Sequence, residues 1–313
     1  MQEMLVSVFL LILGFILLIK GADFFVEGSS AVARRLQVPS LIIGMTIVAM
    51  GTSLPECAVS VTASLSGNNA LAVGNVVGSN MFNLLIVCGV CALFCPLQVD
   101  ADTLKKEFPF SIVCTILLVV LGYIGSELGH IDGLIFLLIF IIYLLAMIRK
   151  ALKAKRKAPE EKTETISMPR CLVYIVGGAA AIKFGGDFVV DAASAIAAGF
   201  GISQTIIGLT IVALGTSLPE LVTSIVAARK NEVDMAVGNV IGSNIFNILL
   251  VLGVAAAISP VTLAFENLID SGILILVSVI SIIFCRSKNS LERKEGMAMI
   301  AMYAAFFVYI CVR

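Results

Sequence analysis

Apolar residues run through this chain in blocks long enough to cross a bilayer as helices, since about 20 of them span the hydrocarbon core. The blocks follow one another so closely that loop signals must be counted together with hydropathy. Read that way, the pattern predicts ten spans, at residues 4–27, 38–64, 70–95, 108–125, 131–148, 170–198, 203–227, 233–258, 267–285 and 296–312. The polar positions carry the orientation. Arg34 and Arg35, Lys105 and Lys106, Arg149 to Lys157 with Lys162 and Arg170, Arg229 and Lys230, and Arg286 to Lys294 all fall in alternate loops. The intervening loops hold no Lys or Arg, and a basic excess in short loops marks the cytoplasmic side. Ten spans then put both termini outside and the loop 149–169 in the cytoplasm.

Composition agrees with the pattern. Of 313 residues, 59% are hydrophobic and 13% charged, and the mean hydropathy is +1.08. These values belong to an integral membrane protein. Glu3 stands where a signal peptide would carry a basic region, and no small-residue cleavage site follows, so the first block is expected to remain as a span. Membrane lipid is the implied surrounding; no nucleic acid and no obligate protein partner is implied. Eight cysteines lie mostly inside apolar blocks, with Cys88, Cys91 and Cys95 along one helix face, and read as small buried hydrophobes. His130, the single histidine, falls in a predicted outer loop and reads as solvated.

A repeat organises the chain. GMTIVAMGTSLPECAVSVTASLSGNNALAVGNVVGSNMFNLLIVCGV (44–90) returns as GLTIVALGTSLPELVTSIVAARKNEVDMAVGNVIGSNIFNILLVLGV (208–254), an offset of 164, with more than half the positions identical and no gap. A weaker match extends upstream, from GADFFVEGSSAV at Gly21 to GGDFVVDAASAI at Gly185. Each half therefore holds five spans, and an odd number makes the second copy enter the membrane from the opposite face. The expected fold is an all-α membrane protein: ten transmembrane helices in two inverted five-helix repeats, 1–148 and 170–313, joined by a charged linker at 149–169. That linker, with no apolar face, reads as solvated, its basic stretch facing anionic lipid. Inverted repeats are a recurrent plan of secondary transporters, whose sites form near the midplane where broken helices meet.

The duplicated motifs point to that site. In GTSLPE, Pro55 cannot donate to the carbonyl of Gly51, nor Pro219 to that of Gly215, so each helix is expected to kink or break. A freed carbonyl in hydrocarbon needs a partner, and a cation is one. Thr52, Ser53, Thr216 and Ser217 supply hydroxyls beside Glu56 and Glu220. A carboxylate at membrane depth is costly, and its default reading is a site for an ion or a proton. Two of them balance one divalent cation or two monovalent ones, and an oxygen-only ligand set suits Ca²⁺ or Na⁺ rather than Zn²⁺ or Cu⁺. In GNxxGSNxFN, Gly74 and Gly78 form a small face that permits close helix approach, and Asn75, Ser79 and Asn83 make a polar stripe that Asn239, Ser243 and Asn247 duplicate. Asn75, Asn80, Asn239 and Asn244 are equally explained as hydrogen bonds between helices.

At these motifs the sequence resembles the cation/Ca²⁺ exchanger superfamily, specifically the prokaryotic sodium/calcium exchangers. The resemblance covers nearly the whole chain, and its paired motifs are highly specific. It implies a cluster of ion sites on the second, third, seventh and eighth spans, with Glu56 and Glu220 as central ligands shared by Ca²⁺ and Na⁺. It further implies oxygens from Thr52, Thr216, Ser53 and Ser217, main-chain carbonyls from Ala49 and Ala213, and Na⁺ positions lined by Ser79 and Ser243. Asn83 and Asn247 would close the middle. Some members carry Asp at the position of Asn247, a pattern K⁺-dependent exchangers resemble; Asn at both positions argues against K⁺ dependence. The transported ions are cargo, and no cofactor is implied. In the family the first and sixth spans slide past the core. Their acids here are Asp23 and Glu27, matching Asp187 and Asp191, with Lys20 and Lys183 as candidate partners.

The expected activity is Na⁺/Ca²⁺ antiport by alternating access in a bacterial inner (plasma) membrane, extruding Ca²⁺. A Ca²⁺/H⁺ exchanger using the same glutamates is the alternative, and a cation channel a more distant one. An intramembrane hydrolase lacks a Ser/His pair, because His130 has no duplicate.

Overall fold

The computed structural model describes all residues except 1, 68, 126, 158–165, 203–206, 208–210, 212, 287–288 and 313. The chain is almost wholly helical. In order, the helices are α1 (Gln2–Leu36), α2 (Ser40–Thr52), α3 (Leu54–Leu65), α4 (Leu71–Phe94), α5 (Thr103–Gly125), α6 (His130–Lys157), α7 (Met168–Gly199), α8 (Ala213–Gly215), α9 (Leu218–Arg229), α10 (Val233–Ile258), α11 (Phe265–Arg286) and α12 (Arg293–Val312). Among the described residues eight of these are long and apolar enough to cross a membrane, and the bent pair α2–α3 counts as a ninth. Most of the predicted seventh span upstream of Ala213 lies outside the described residues.

The prolines act as expected. α2 and α3 meet at 49°, and the break falls on Ser53, at φ −86° and ψ 10°. Ser217 has nearly the same conformation, φ −94° and ψ 4°. Both lie in the sparsely allowed bridge region, and Pro55 and Pro219 follow in the first turn of a new helix, where a missing N–H costs nothing. The basic run Arg149 to Arg156 is helical, so α6 extends past the predicted span end at 148. Lys and Arg are good helix formers and suit a helix C-terminus. His130 opens α6, exposed, with Nδ1 3.0 Å from the carbonyl of Ala257.

Glycines set the packing of α1 on α7. A Cβ on Gly14 would lie 2.9 Å from the carbonyl oxygen of Gly185, one on Gly21 3.0 Å from that of Gly178, and one on Gly28 2.9 Å from that of Cys171. Numbers rise along one helix as they fall along the other, so the two run antiparallel in backbone contact, as small residues permit. Their outer faces carry exposed Leu5, Phe9, Ile12, Leu172, Val173 and Val176, suited to lipid. At the centre stands α10, on which every residue from Met235 to Phe246 is buried. Gly238 and Gly242 let it reach α2: Cβ atoms there would lie 2.5 Å from Leu41 O and 2.6 Å from Met45 Cα. Among the described residues nothing would lie within 4 Å of a Cβ on Gly74 or Gly78. Two short antiparallel ribbons close the loops, β1 (Leu97–Gln98) with β4 (Ser290–Leu291) and β2 (Glu127–Leu128) with β3 (Val261–Thr262).

Candidate ion-binding site

Glu56 sits in the first turn of α3 and Glu220 in the first turn of α9. Each carboxylate therefore meets the positive end of its own helix. Both are completely buried. The two motifs exchange hydroxyls: Ser53 Oγ donates to Glu220 Oε1 at 2.8 Å, and Ser217 Oγ donates to Glu56 Oε1 at 3.2 Å. Ser79, one helix away, makes a longer contact with Glu56 Oε1 at 3.5 Å. The serines of the breaks are thus the cross-links between halves, and Glu56 and Glu220 are brought into one site.

The remaining oxygens decide what that site can hold. Glu56 Oε2, Glu220 Oε2, Thr216 Oγ1, Ser243 Oγ, Asn83 Oδ1 and Asn247 Oδ1 are buried and have no hydrogen-bond partner among the described residues. A buried polar atom left unmatched costs about 1–3 kcal/mol, and these six oxygens all belong to the two duplicated motifs. All are oxygens, the donor type that hard cations take in sets of roughly six to eight. Thr52 Oγ1 is ringed by three further acceptors, Val48 O at 3.2 Å, Ala49 O at 3.3 Å and Asn239 Oδ1 at 3.1 Å, so one proton serves three oxygens. The Ala49 carbonyl also accepts the Ser53 amide at 3.0 Å. Ala213 opens α8 just before the second break. Among the described residues no group of three or more His, Cys, Asp or Glu assembles.

Of the asparagines, Asn75 and Asn239 tie helices together. Asn75 Nδ2 donates to Ser60 Oγ at 2.9 Å and Glu56 O at 3.3 Å; Asn239 Nδ2 donates to Ser224 Oγ at 3.0 Å. Ser60 and Ser224 were not singled out by the sequence reading, although each lies four residues after its glutamate and shares its helix face. A π-helical turn begins at Asn83 (Asn83–Val87) and another at Asn247 (Asn247–Leu252). Such turns are frequent at functional sites, where they re-aim a side chain.

The acids of α1 and α7 have different surroundings. Lys183 pairs with Asp187 on α7. Lys20 is exposed, and Asp23 and Glu27 instead face Lys230, at 2.7 Å and 3.7 Å. Beside them Glu232 accepts from Ser30, from Arg34 at 3.0 Å and from Ser40 at 2.9 Å. On α7 the picture is open: a cavity of about 350 Å³ is lined by Lys183, Asp187, Asp191, Thr216 and both motif prolines.

This geometry is what a cation transporter needs, and comparison with known proteins gives it a family. The family model for the sodium/calcium exchanger protein matches residues 6–149 and 171–312. The chain belongs to the sodium/calcium exchanger family. The inner membrane protein YrbG of Escherichia coli K12 is 40% identical, the match covering 99% of this chain and 97% of that one. The sodium/calcium exchanger MaX1 of Methanosarcina acetivorans is 32% identical over 97% and 98%. Among solved structures, the sodium-calcium exchanger NCX_Mj soaked with 2.5 mM Na⁺ and 10 mM Sr²⁺ superposes with a TM-score of 0.86 and 32% identity, covering 99% of each chain. The exchanger is therefore a multi-span membrane antiporter of cations and not an enzyme, and the hydrolase reading falls.

Proposed function

We propose that this exchanger expels Ca²⁺ in return for Na⁺, both ions competing for oxygens grouped around Glu56 and Glu220. The observation that carries the reading is the reciprocal pairing of Ser53 with Glu220 and Ser217 with Glu56, which leaves a second, unmatched oxygen on each carboxylate. Two carboxylates neutralise one Ca²⁺ or two Na⁺. Binding one kind of ion displaces the other, and this competition couples the two fluxes. The hydroxyls and carboxamides of Thr52, Thr216, Ser79, Ser243, Asn83 and Asn247, with the carbonyls of Ala49 and Ala213, complete the coordination with neutral oxygen.

Alternating access follows from two inverted five-helix halves, ten spans in all, with both termini outside and residues 149–169 in the cytoplasm. In support, α1 and its repeat α7 run antiparallel, and their glycine contacts are reciprocal: Gly14 meets Gly185, and Gly21 meets Gly178, each pair exchanging places under the 164-residue offset. The ribbons obey the same exchange, β1 pairing with the counterpart of β2, and β2 with the counterpart of β1. Lys230 and Glu232 belong to a basic, predicted cytoplasmic loop, and their ion pairs with Asp23, Glu27 and Arg34 on α1 would seal that side, while the cavity beside Thr216 and α7 would lead outward. Sliding of the α1–α7 pair would then trade one opening for the other.

The test is isotopic Ca²⁺ uptake into proteoliposomes loaded with Na⁺, with Na⁺, K⁺ and H⁺ gradients imposed separately. Uptake driven by the outward Na⁺ gradient alone is expected. Uptake driven only by a pH gradient would assign the same glutamates to a Ca²⁺/H⁺ exchanger, and steady unitary currents in a planar bilayer would indicate a channel.

A further inference from the structure

Four asparagines meet between α4 and α10, and their hydrogen bonds form two chains that start at main-chain carbonyls. Asn80 Nδ2 donates to the carbonyl of Asn244 at 3.1 Å, and Asn244 Nδ2 donates to the carbonyl of Asn80 at 3.2 Å. A carbonyl can only accept, so each of these carboxamides must turn its nitrogen to the opposing backbone and its oxygen away. That oxygen is in turn an acceptor: Asn247 Nδ2 donates to Asn80 Oδ1 at 3.0 Å, and Asn83 Nδ2 donates to Asn244 Oδ1 at 3.3 Å. Orientation is thereby handed on. Asn83 and Asn247 each point the nitrogen at a partner within the protein, and their oxygens are buried with no donor among the described residues.

We propose that Asn80 and Asn244 are positioning residues that fix the polarity of the ion site, holding Asn83 and Asn247 with oxygen toward the transported cation and N–H away from it. The inference rests on the exchange reading. A primary carboxamide has nearly the same shape either way round, so packing alone does not choose between presenting an acceptor and presenting a donor. A donor facing a cation would repel it. The two backbone carbonyls remove the choice, because turning Asn247 would set N–H against the freed space and oxygen against the oxygen of Asn80. Helix joining alone needs only the first link of each chain, the side chain to the opposing backbone. The second link, side chain to side chain, also crosses between α4 and α10, and it is the one that sets which way round Asn83 and Asn247 lie.

The experiment uses a substitution for which direction no longer matters. A carboxylate offers oxygen at both ends, so Asn247→Asp needs no orienting partner. Asn80→Leu is made in the native chain and in the Asn247→Asp chain, and the KM for Ca²⁺ in Na⁺-driven uptake is measured for all, together with the melting temperature. In the native background the KM should rise about tenfold, the scale of one lost interaction with a charge. With Asp at 247 the rise should stay below about threefold, although the melting temperature falls equally in both. Asn244→Leu forms a second, independent arm, rescued by Asn83→Asp and not by Asn247→Asp; it decides the matter if Asn80→Leu does not fold. Equal losses of affinity in both backgrounds would mean that Asn80 and Asn244 only join helices, and no loss would mean that they orient nothing. Absence of Ca²⁺ uptake by the unmodified chain would sink the exchange reading and this inference with it.

Discussion

Replacing Glu56 or Glu220 by Gln separates a functional carboxylate from a structural one, because the two roles predict opposite signs. Both side chains are fully buried, each accepts one serine hydroxyl on Oε1, and each leaves Oε2 unmatched. Gln keeps the shape and one oxygen. It removes a charge that the interior solvates poorly and that faces a second charge of the same sign across the motif pair. A unit charge about 4 Å from another is worth roughly 4 kcal/mol at an effective dielectric of 20, so the gross attraction to a divalent ion is about twice that. Desolvation and the surviving amide oxygen offset much of it, and losses on breaking buried charge pairs run at about 3–5 kcal/mol. Ca²⁺ affinity should therefore fall by about 100-fold or more in either variant, with the smaller loss for Na⁺ that half the ionic charge implies. Without transported cation the same substitutions should leave the melting temperature unchanged or raise it, since a site built for an ion is strained without one. Titration calorimetry in detergent measures the affinities, and thermal unfolding in chelator the stability. Ca²⁺ binding or uptake retained within about threefold in both variants, or a large destabilisation with intact binding, would refute the site.

Three further outcomes follow from other contacts. Ser53→Ala should weaken Ca²⁺ binding by about tenfold, because Glu220 loses a donor at 2.8 Å and hydrogen bonds to charge contribute about 1.5–3 kcal/mol; Ser217→Ala should do somewhat less through its 3.2 Å bond, and the reverse ranking in calorimetry would contradict the geometry. Gly44→Ala would place a Cβ 2.5 Å from the carbonyl oxygen of Met235, backbone against backbone; a loss of about 1–3 kcal/mol is expected in thermal or denaturant unfolding, and an unchanged stability would mean that α2 does not pack on α10 this way. Glu232→Gln loosens the contacts to Ser30, Arg34 and Ser40 and should lower the KM for Ca²⁺ offered on the cytoplasmic side by about threefold, the scale of a partly exposed ion pair; no change, or a rise, would deny it a sealing role.

Sequence reading reached the parts that depend on local period and on self-comparison. The helix breaks were legible because proline acts on its own backbone, and the meeting of Glu56 and Glu220 because the same six letters occur twice. The polar stripe of Asn75, Ser79 and Asn83 was legible from its spacing. What each member of the stripe touches was not, because that depends on which helix stands opposite: Asn75 turns to Ser60 on α3, Ser79 to Glu56, and Asn83 to Asn244 in the other half. The partner of Asp23 escaped for the same reason. Lys20 was the nearest cation along the chain and its spacing of three allows a pair, but the loop before α10 delivers Lys230 to Asp23 from 207 residues away. The π-helical turns at Asn83 and Asn247 leave no mark on hydropathy at all.

The same comparison shows where the two halves part, and the difference bears on direction. Through the two motifs the repeats are nearly identical, as the proposed access from both membrane faces requires. At the loop between the third and fourth elements of each repeat they diverge: Lys230 and Glu232 stand opposite Ser66 and Asn68 under the 164-residue offset. A perfectly symmetric exchanger would populate its two orientations equally when no ion is bound. In the proposed orientation the cytoplasmic side carries the pairs of Lys230 with Asp23 and Glu27 and of Arg34 with Glu232. Partly exposed pairs contribute about 0–1 kcal/mol each, so together they shift the resting balance by roughly tenfold rather than locking it. That is the scale an exchanger can use, because a stronger seal would have to be broken by ion binding in every cycle, while a weaker one would leave the ions to choose the side. Under the proposed function, the repeated motifs set which ions bind, and the unrepeated loop sets where the empty site waits for them.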